Sequence, residues 1–342
     1  MHHYDVYGIG NALVDSEYEV TDEFLDLSGL PKGVMTLIEE EQRQKLIKLL
    51  EDEHGYQVIK LAGGGSAANT VATVSQLGGN GFYSCKVAND QTGDFFVKDL
   101  KDLDIHTNLT ADREPGVTGE CISLVTPDAE RTMASHLGIT QSLSARELVP
   151  DALCDSQLLY IEGYLVSSPS GFDAALEAQA IARKGSVDVA LTLSDPAMVR
   201  NFKDSFDVLV KHGVDILFCN EEEANLWTDS SSREETIKTL RDACPKFAMT
   251  CGKDGAIVCD GDTTYKVAGV PTIPVDTTGA GDNFAGAFLY RICRGAGYDD
   301  AAAFANRSAS LLVSRFGARA DKEMVKQLGS DPSARTRSSA DL

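Results

Sequence analysis

The sequence lacks any segment that would carry the chain into or across a membrane. No apolar run in its 342 residues approaches the roughly 20 residues that span a bilayer. The N-terminus, Met1-His2-His3-Tyr4-Asp5, has no basic stretch leading into an apolar one, so it does not resemble a secretory signal. We therefore expect a cytoplasmic protein with no membrane partner.

Positive charge is also scarce. The chain has 31 Lys and Arg residues against 52 Asp and Glu, which gives a net charge of −21 at pH 7. A surface of this sign repels nucleic acid and anionic membrane, so we expect neither as a partner. The composition, 43% hydrophobic and 24% charged, is typical of an ordinary globular protein.

Several common motifs are missing. The eight cysteines are scattered without a C-x-x-C pair, which favours free thiols. No G-x-x-x-x-G-K-[ST] occurs, so P-loop nucleotide binding is excluded. The segment 8–13 (GIGNAL) lacks the third glycine of a dinucleotide-binding motif, and no acidic residue follows at the usual distance. A nicotinamide-dependent oxidoreductase is therefore poorly supported. None of the six histidines is spaced as a metal cluster.

Strand and helix patterns alternate from about residue 155. Apolar runs that read as strands are followed by amphipathic stretches that read as helices, at 157–161, 170–183, 187–193, 196–210, 215–219 and 221–227. This alternation is typical of a mostly parallel sheet with helices on both faces. It predicts a doubly wound α/β domain with three layers, α/β/α.

Two stretches outside this alternation, about 14–38 and 106–137, are β-like and predict a small β-rich lid over the large sheet. Ligands of open α/β sheets bind beyond the carboxyl ends of the strands, where such a lid would exclude water. The predicted division assigns residues 1–13, 62–105 and 138–328 to a large domain, 14–61 and 106–137 to the lid, and 329–342 to a disordered tail.

The segment from Asp276 to Phe284 (DTTGAGDNF) carries the most chemical information. Gly279, Ala280 and Gly281 have almost no side chain, so their amides lie open at the start of a helix and can bind an anion such as a phosphoryl group. Asp282 follows in the first turn, where a carboxylate can take a proton from an attacking hydroxyl. A lone G-x-G-D would be better explained by a glycine-rich turn with a capping Asp, but the nine-residue string is far more specific.

The whole nine-residue string resembles the signature of the ribokinase (carbohydrate and purine kinase, PfkB) family. This resemblance implies a ribokinase-like fold, ATP as co-substrate, Mg²⁺ as cofactor, Asp282 as catalytic base and the amides of 279–281 as an anion hole with Thr278 beside the ATP. In many relatives the first Asp of the string, here Asp276, helps to bind a monovalent cation such as K⁺.

Other segments resemble the family's remaining motifs, in the family's order. Gly63, Gly64 and Asn69 match a Gly-Gly hinge with an Asn that holds the sugar. Asn220 and Glu223 match an Asn-x-x-Glu pair that orders Mg²⁺ and phosphate through water. Without the other motifs, a solvated first helical turn would be the simpler explanation of these two residues. The resemblance implies further ATP-binding residues at Thr250, Gly252, Gly255, Asn306 and Gly317.

The opening of the chain resembles the branch of the family that phosphorylates adenosine. There Asn11 and Asp15 would bind the sugar, and a carboxylate at a strand end can accept two hydrogen bonds from a vicinal diol. Arg131 resembles the lid arginine that approaches the transferred phosphate, although an exposed strand charge is the simpler explanation. We expect transfer of a phosphoryl group to the 5′-hydroxyl of adenosine, which gives AMP.

Three questions stay open at this point. The motifs fit sugar kinases that act on ribose, fructose or 2-keto-3-deoxygluconate, and they fit other nucleosides. A non-catalytic nucleoside- or sugar-binding sensor could share the fold, although such a protein would have no need of Asp282. The chain is a monomer or a homodimer, and neither is preferred.

Overall fold

The alternating pattern of the sequence is realised as two β-sheets and their covering helices. The computed structural model describes residues 2–128 and 130–329. Their strands are β1 Tyr4–Ile9, β2 Leu13–Glu19, β3 Met35–Leu37, β4 Lys60–Gly64, β5 Gly81–Ser84, β6 His106–Thr107, β7 Gly119–Val125, β8 Arg131–His136, β9 Ser156–Ile161, β10 Asp188–Thr192, β11 Ile216–Asn220, β12 Lys246–Thr250, β13 Ala256–Asp260 and β14 Thr264–Val267.

The helices fill the connections between these strands. They are α1 Asp22–Ser28, α2 Glu40–Ile47, α3 Ser66–Gln76, α4 Gln91–Asp102, α5 Pro150–Cys154, α6 Pro169–Gly185, α7 Pro196–Gly213, α8 Glu221–Thr228, α9 Arg233–Ala243, α10 Ala280–Ile292, α11 Tyr298–Val313 and α12 Lys322–Gly329. In the part of the chain described, no helix is long and apolar enough to cross a membrane.

The large sheet has nine strands in the order β14-β13-β12-β11-β10-β9-β1-β5-β6. All neighbours are parallel except β13, which pairs antiparallel with β12 and β14. Both faces are covered, because alternate residues of β9 enter different cores: Leu159 and Ile161 on one side, Leu158 and Tyr160 on the other. The predicted three-layer, mostly parallel α/β fold is confirmed.

The small sheet has five strands in the order β3-β8-β7-β2-β4. One face packs on α1 and α2, where Phe24, Leu46 and Leu50 join Tyr18 and Ile122 in a separate apolar core. The opposite face, which carries Asp15 and other alternate residues, is turned toward the large sheet. Helix α1 lies inside the stretch 14–38, which the sequence pattern predicted to be β-like throughout.

The sheets divide the chain at slightly different points from the predicted domains. Leu13 and residues 62–64 pair within the small sheet, although they were assigned to the large domain. Strand β6 pairs with β5 in the large sheet, although it was assigned to the lid. Gly329 ends α12, and the rest of the predicted disordered tail lies outside the described residues. The division into two domains stays a prediction.

Helices α3 and α10 pack unusually close to each other because the residues between them are small. A Cβ atom on Gly286 would lie 2.5 Å from the carbonyl oxygen of Thr70 and 2.7 Å from the Cβ of Thr73. The buried Asn283 donates to Thr73 Oγ1 at 3.3 Å and accepts from Ser308 Oγ at 2.6 Å, so it joins both helices to α11. The absence of a side chain at residue 286 therefore sets the separation of the two helices.

Replacing Gly286 by Ala should lower the free energy of unfolding. Alanine favours a helix by about 0.5–1 kcal/mol over glycine. The new methyl group meets backbone and side-chain atoms of α3, however, and overpacking of this kind costs about 1–3 kcal/mol. Urea denaturation measures the net effect. The control is Gly329→Ala, where no atom lies within 4 Å of the added carbon and stability should not fall. A stabilised Gly286→Ala variant would contradict this account of the packing.

Candidate active site

A cleft of about 540 Å³ lies where the carboxyl ends of the central strands face the small sheet. Eleven of the predicted site residues line it: Asn11, Asp15, Asn69, Asn220, Glu223, Thr250, Thr278, Gly279, Ala280, Gly281 and Asp282. The fold thus brings segments more than 200 residues apart in sequence into one cavity.

The floor of the cleft is formed by the N-termini of α3 and α10. Gly279 precedes α10 with φ 73°, and a Cβ there would lie 2.7 Å from the carbonyl oxygen of Ala318, so glycine is required. No side chain caps this helix, and although the amide of Ala280 donates to the carbonyl oxygen of Thr277 at 3.2 Å, no side chain among the described residues occupies the amides of Gly279 and Gly281. This N-terminus is where the sequence predicts an anion to bind, and that role stays a prediction.

Asp282 lies in the first turn of α10 and contacts the first turn of α3. Its Oδ1 accepts a hydrogen bond from Ser66 Oγ at 2.6 Å, and its Oδ2 accepts one from Asn69 Nδ2 at 3.1 Å. Burial raises the pKa of Asp282 to about 6, although the two hydrogen bonds and the charge of Arg319 act in the opposite direction. A carboxyl group with this pKa is suited to accept a proton near neutral pH.

Asp15 faces the same cleft from β2. Burial raises its pKa to about 6, against the charges of Arg319 and Arg131. A Cβ on Gly64, which pairs with Leu13 on the neighbouring strand, would lie 2.5 Å from Asp15 Oδ1. The Gly-Gly pair does not line the cleft; Gly64 instead leaves room for the Asp15 carboxylate.

Glu162 is a site residue to which the sequence patterns assigned no role. It is 1% exposed, lines the cleft, and follows β9. Its Oε1 accepts from the backbone and side-chain nitrogens of Asn11, at 3.1 and 2.9 Å, and its Oε2 accepts from the amide of Ala67 at 2.9 Å. Burial raises its pKa to about 7. Glu162 thus joins the loop after β1 to the start of α3.

Asn220 and Glu223 form a reciprocal cap at the start of α8. The Asn220 side chain accepts from the Glu223 amide at 2.8 Å, while the Glu223 carboxylate accepts from Asn220 N at 2.9 Å and Nδ2 at 2.6 Å. Burial raises the pKa of Glu223 to about 7, and the neighbouring carboxylates Asp195 and Asp282 contribute in the same direction. The pair is therefore a helix cap that also faces the cleft.

The charges on the cleft wall have one sign. Five carboxylates line it: Asp15, Glu162, Asp195, Glu223 and Asp282. The described residues that line it include no lysine, arginine or histidine. Within residues 2–128 and 130–329, no group of three or more His, Cys, Asp or Glu is arranged to hold a metal ion directly. A polyanion would therefore enter this cleft only together with compensating cations.

Asp276 lies behind the anion-binding turn and is 7% exposed. It accepts from the amides of Thr278 and Gly317, both at 2.9 Å, and forms an ion pair with Arg131 at 3.3 Å. Burial disfavours its charged form, but these hydrogen bonds and the guanidinium outweigh burial and lower its pKa. Since Arg131 already supplies a positive charge here, the carboxylate as arranged does not fit a resident monovalent cation.

Arg131 reaches this position from the small sheet. It also pairs with Glu17 on β2, which lies beyond β7 in the small sheet, and its guanidinium lies 5.8 Å from the centre of the Phe316 ring. Lys60 Nζ donates to the carbonyl oxygen of Phe316 at 3.3 Å. Arg131 does not line the cleft. It and Lys60 instead connect the lid to the segment around Gly317.

Four predicted ATP-binding residues lie outside the cleft lining: Gly252, Gly255, Asn306 and Gly317, of which Gly317 donates its amide to Asp276. Asn306 donates to the carbonyl oxygens of Val267 and Ala268 at 3.2 and 3.1 Å. A Cβ on Gly255 would lie 2.1 Å from the carbonyl oxygen of Val267, and Gly252 has a left-handed φ of 55°. These contacts fix the loop between β12 and β13 and the end of β14, beyond Thr250. A nucleotide could contact these residues only at the border of the cleft.

Comparisons with known proteins establish the family of the chain. Residues 42–324 match the pfkB family of carbohydrate kinases, so the chain belongs to that family. Kinases of this family are phosphotransferases with hydroxyl acceptors, which confirms the class of enzyme that the sequence motifs predict.

Two solved structures resemble nearly the whole chain. A probable sugar kinase from Rhizobium etli is 32% identical, with a TM-score of 0.85, over 96% of this chain and 99% of that one. Adenosine kinase from Sinorhizobium meliloti is 33% identical, with a TM-score of 0.84, over 95% and 98%. Ribokinase from Mus musculus is 28% identical over 256 residues, 72% of this chain and 76% of the mouse protein.

Glu162→Gln should change the pH dependence of stability. The folded protein retains a proton on Glu162 that the unfolded chain releases, so stability falls as pH rises from the ordinary 4.5 to about 7. A neutral Gln removes this contribution and makes the fall less steep, as urea denaturation across the range would show. The exposed Glu53→Gln is the control. Equal slopes in wild type and Glu162→Gln would contradict the burial argument.

Proposed function

We propose that the protein transfers the γ-phosphoryl group of ATP to the 5′-hydroxyl of adenosine, which forms AMP and ADP. The observation that carries the proposal is the placement of Asp282 in the first turn of α10, beside the uncapped N-terminus at Gly279–Gly281, with Ser66 and Asn69 fixing its carboxylate. The two groups that phosphoryl transfer requires, a base and an anion site, thus lie on one helical turn.

The role of each group follows from its chemistry. Asp282 accepts the proton of the attacking hydroxyl as the O–P bond forms. The amides of 279–281 and the positive end of the α10 dipole stabilise the charge that gathers on the phosphoryl oxygens. The protein supplies mainly position and electrostatic stabilisation.

The lid side of the cleft supports a nucleoside as the acceptor. Asp15 and Asn11 provide polar groups for sugar hydroxyls. Around them the cleft is lined by apolar side chains of the small sheet and adjoining loops: Leu13, Met35, Leu37, Met133 and Leu137. A bare sugar carries hydroxyls on all sides and would leave them facing this surface, whereas a flat heterocyclic base buries against it. The likeness to the Sinorhizobium meliloti adenosine kinase points the same way.

A sugar such as ribose, fructose or 2-keto-3-deoxygluconate is the second candidate acceptor. The probable sugar kinase from Rhizobium etli covers this chain as fully as the adenosine kinase does, and at nearly the same identity. The shared base and anion site would serve either acceptor.

The carboxylate wall supports Mg²⁺ as the partner of ATP. Burial leaves Glu223 with a raised pKa and no cation beside it among the cleft-lining residues described, so an added positive charge would be favourable there. Glu223 and Asn220 would hold the ion through water, the binding mode that Mg²⁺ prefers. When bound, the ion neutralises charge on the ATP phosphates.

Asp282→Asn should reduce kcat by roughly 10²–10⁴-fold while adenosine binding is kept, because the amide keeps the shape but cannot accept the proton. The assay measures ADP release with Mg-ATP against adenosine, inosine, guanosine, ribose, fructose and 2-keto-3-deoxygluconate, and mass spectrometry checks each product. Asp299→Asn, in the first turn of α11, is the matched control. Full turnover by Asp282→Asn would overturn the assignment of the base, and turnover of a bare sugar alone would overturn adenosine.

Asn220→Ala tests whether the α8 cap also serves ATP. Loss of a cap costs about 1 kcal/mol of stability. Ser232→Ala removes the comparable cap of α9, where Ser232 Oγ accepts from the Glu235 amide at 3.3 Å, and is the control. Both variants should lose similar stability in urea, but only Asn220→Ala should raise the Mg²⁺ concentration needed for half-maximal turnover. An unchanged Mg²⁺ requirement would leave the pair a helix cap alone.

A further inference from the structure

Arg319 is a charged residue next to the catalytic carboxylate that no sequence motif identified. It follows α11 in the segment that runs beside α3, where Gln76 Nε2 donates to the carbonyl oxygen of Ala320 at 2.6 Å. Its side chain is 11% exposed, and Nη1 pairs with Asp99 on α4. An arginine this deeply buried requires a specific set of partners.

The guanidinium contacts the residue that holds Asp282. Arg319 Nε donates to Asn69 Oδ1 at 2.9 Å, and Asn69 Nδ2 donates to Asp282 Oδ2 at 3.1 Å. Because an arginine can only donate, the oxygen of the Asn69 amide must face Arg319. The nitrogen of the same amide must then face Asp282.

The hinge glycine leaves space for this guanidinium. A Cβ on Gly63 would meet the carboxylate of Asp99 first, and it would lie 2.9 Å from Nη1 and 3.0 Å from Nη2 of Arg319. Any larger residue would push the guanidinium away from Asn69 or Asp99. Among the described residues Nη2 has no hydrogen-bond partner. Nε and Nη1 therefore make the hydrogen bonds that hold the guanidinium in place.

We propose that Arg319 is a positioning residue for phosphoryl transfer, which fixes the Asn69 amide so that its nitrogen faces Asp282 and supplies the positive charge that keeps Asp282 ionised. The proposal rests on the proposed role of Asp282 as base. It adds a dependence on a residue that does not line the cleft.

The charges around Asp282 make this cation significant. The carboxylates of Asp15, Glu162 and Glu223 face the cleft from the small sheet, β9 and α8, and their negative charges oppose ionisation of Asp282. The charge of Arg319 lowers the pKa of Asp282, and it is also the charge that most lowers the pKa of Asp15. Arg131 acts on Asp15 from the lid. Removing Arg319 therefore raises the pKa of the base.

The test compares Arg319→Gln and Arg319→Lys in the full chain. Arg319→Gln should lower kcat roughly 10- to 100-fold and move the acid limb of the pH profile of kcat/KM to higher pH, because both the orientation and the charge are lost. Arg319→Lys keeps a point charge without the fixed fork of donors, so it should return the acid limb toward wild type while kcat stays reduced.

The matched control is Arg315→Gln, which removes an equal charge four residues earlier. Arg315 pairs with the exposed Asp321 at 2.9 Å and should leave both kcat and the pH profile unchanged. A purely structural role for Arg319 would lower stability in urea without moving the acid limb, and that result overturns the proposal. If Arg319→Gln does not fold, Arg319→Lys decides the matter: a reduced kcat with an acid limb close to that of wild type supports the proposal, and a wild-type kcat overturns it.

Asp282→Asn, assayed in parallel, distinguishes a failure of the role proposed for Arg319 from a failure of the role proposed for Asp282. If Asp282→Asn keeps wild-type turnover, the base assignment fails and the role of Arg319 falls with it. If Asp282→Asn is inactive while Arg319→Gln has wild-type kcat and pH profile, only the role of Arg319 is overturned.

Discussion

The close packing of α3 against α10 is the constraint on which the site depends. Each helix begins at a glycine with positive φ, Gly65 or Gly279, and Gly286 lets the two approach without an intervening side chain. Their N-termini consequently open on the same point, where side chains of α3 donate to Asp282 of α10. The positive ends of two helix dipoles thus coincide with the position of the Asp282 carboxylate, and this helps to offset the acidic cleft wall.

Burial and charge set a second constraint. Several carboxyl groups lie together in the cleft, and burial raises the pKa values of four of them. Each of these groups lowers the stability of the folded protein as pH rises, so the site is less stable than an uncharged cavity would be. Such a cost is tolerable in a large protein with two extensive cores on either side of its main sheet. The same carboxylates would favour a nucleotide that arrives with its metal ion over one that arrives without.

The sequence was most informative where local patterns determine local structure. Alternating apolar runs predicted the large sheet, and the string from Asp276 to Phe284 predicted the turn before α10, because glycine is required there by the backbone itself. Sequence patterns could not identify Glu162 or Arg319, since each acts through a partner far along the chain and sits in no recognisable spacing. Sequence patterns could not explain Gly63 either, because a Cβ there would meet the side chain of Arg319, 256 residues away.

The contacts of Asp276 have a consequence for how two substrates are bound. Arg131 of the lid and the amide of Gly317 share this one carboxylate, and Lys60 of the lid holds the carbonyl oxygen of Phe316 beside it. Movement of the lid therefore alters the support of the turn that carries Gly279–Gly281. Coupling of this kind is reciprocal, so a compound that keeps the lid docked also strengthens the anion site, and an occupied anion site holds the lid. The Asp276 carboxylate is thus the single group through which the small sheet and the turn before α10 would affect each other.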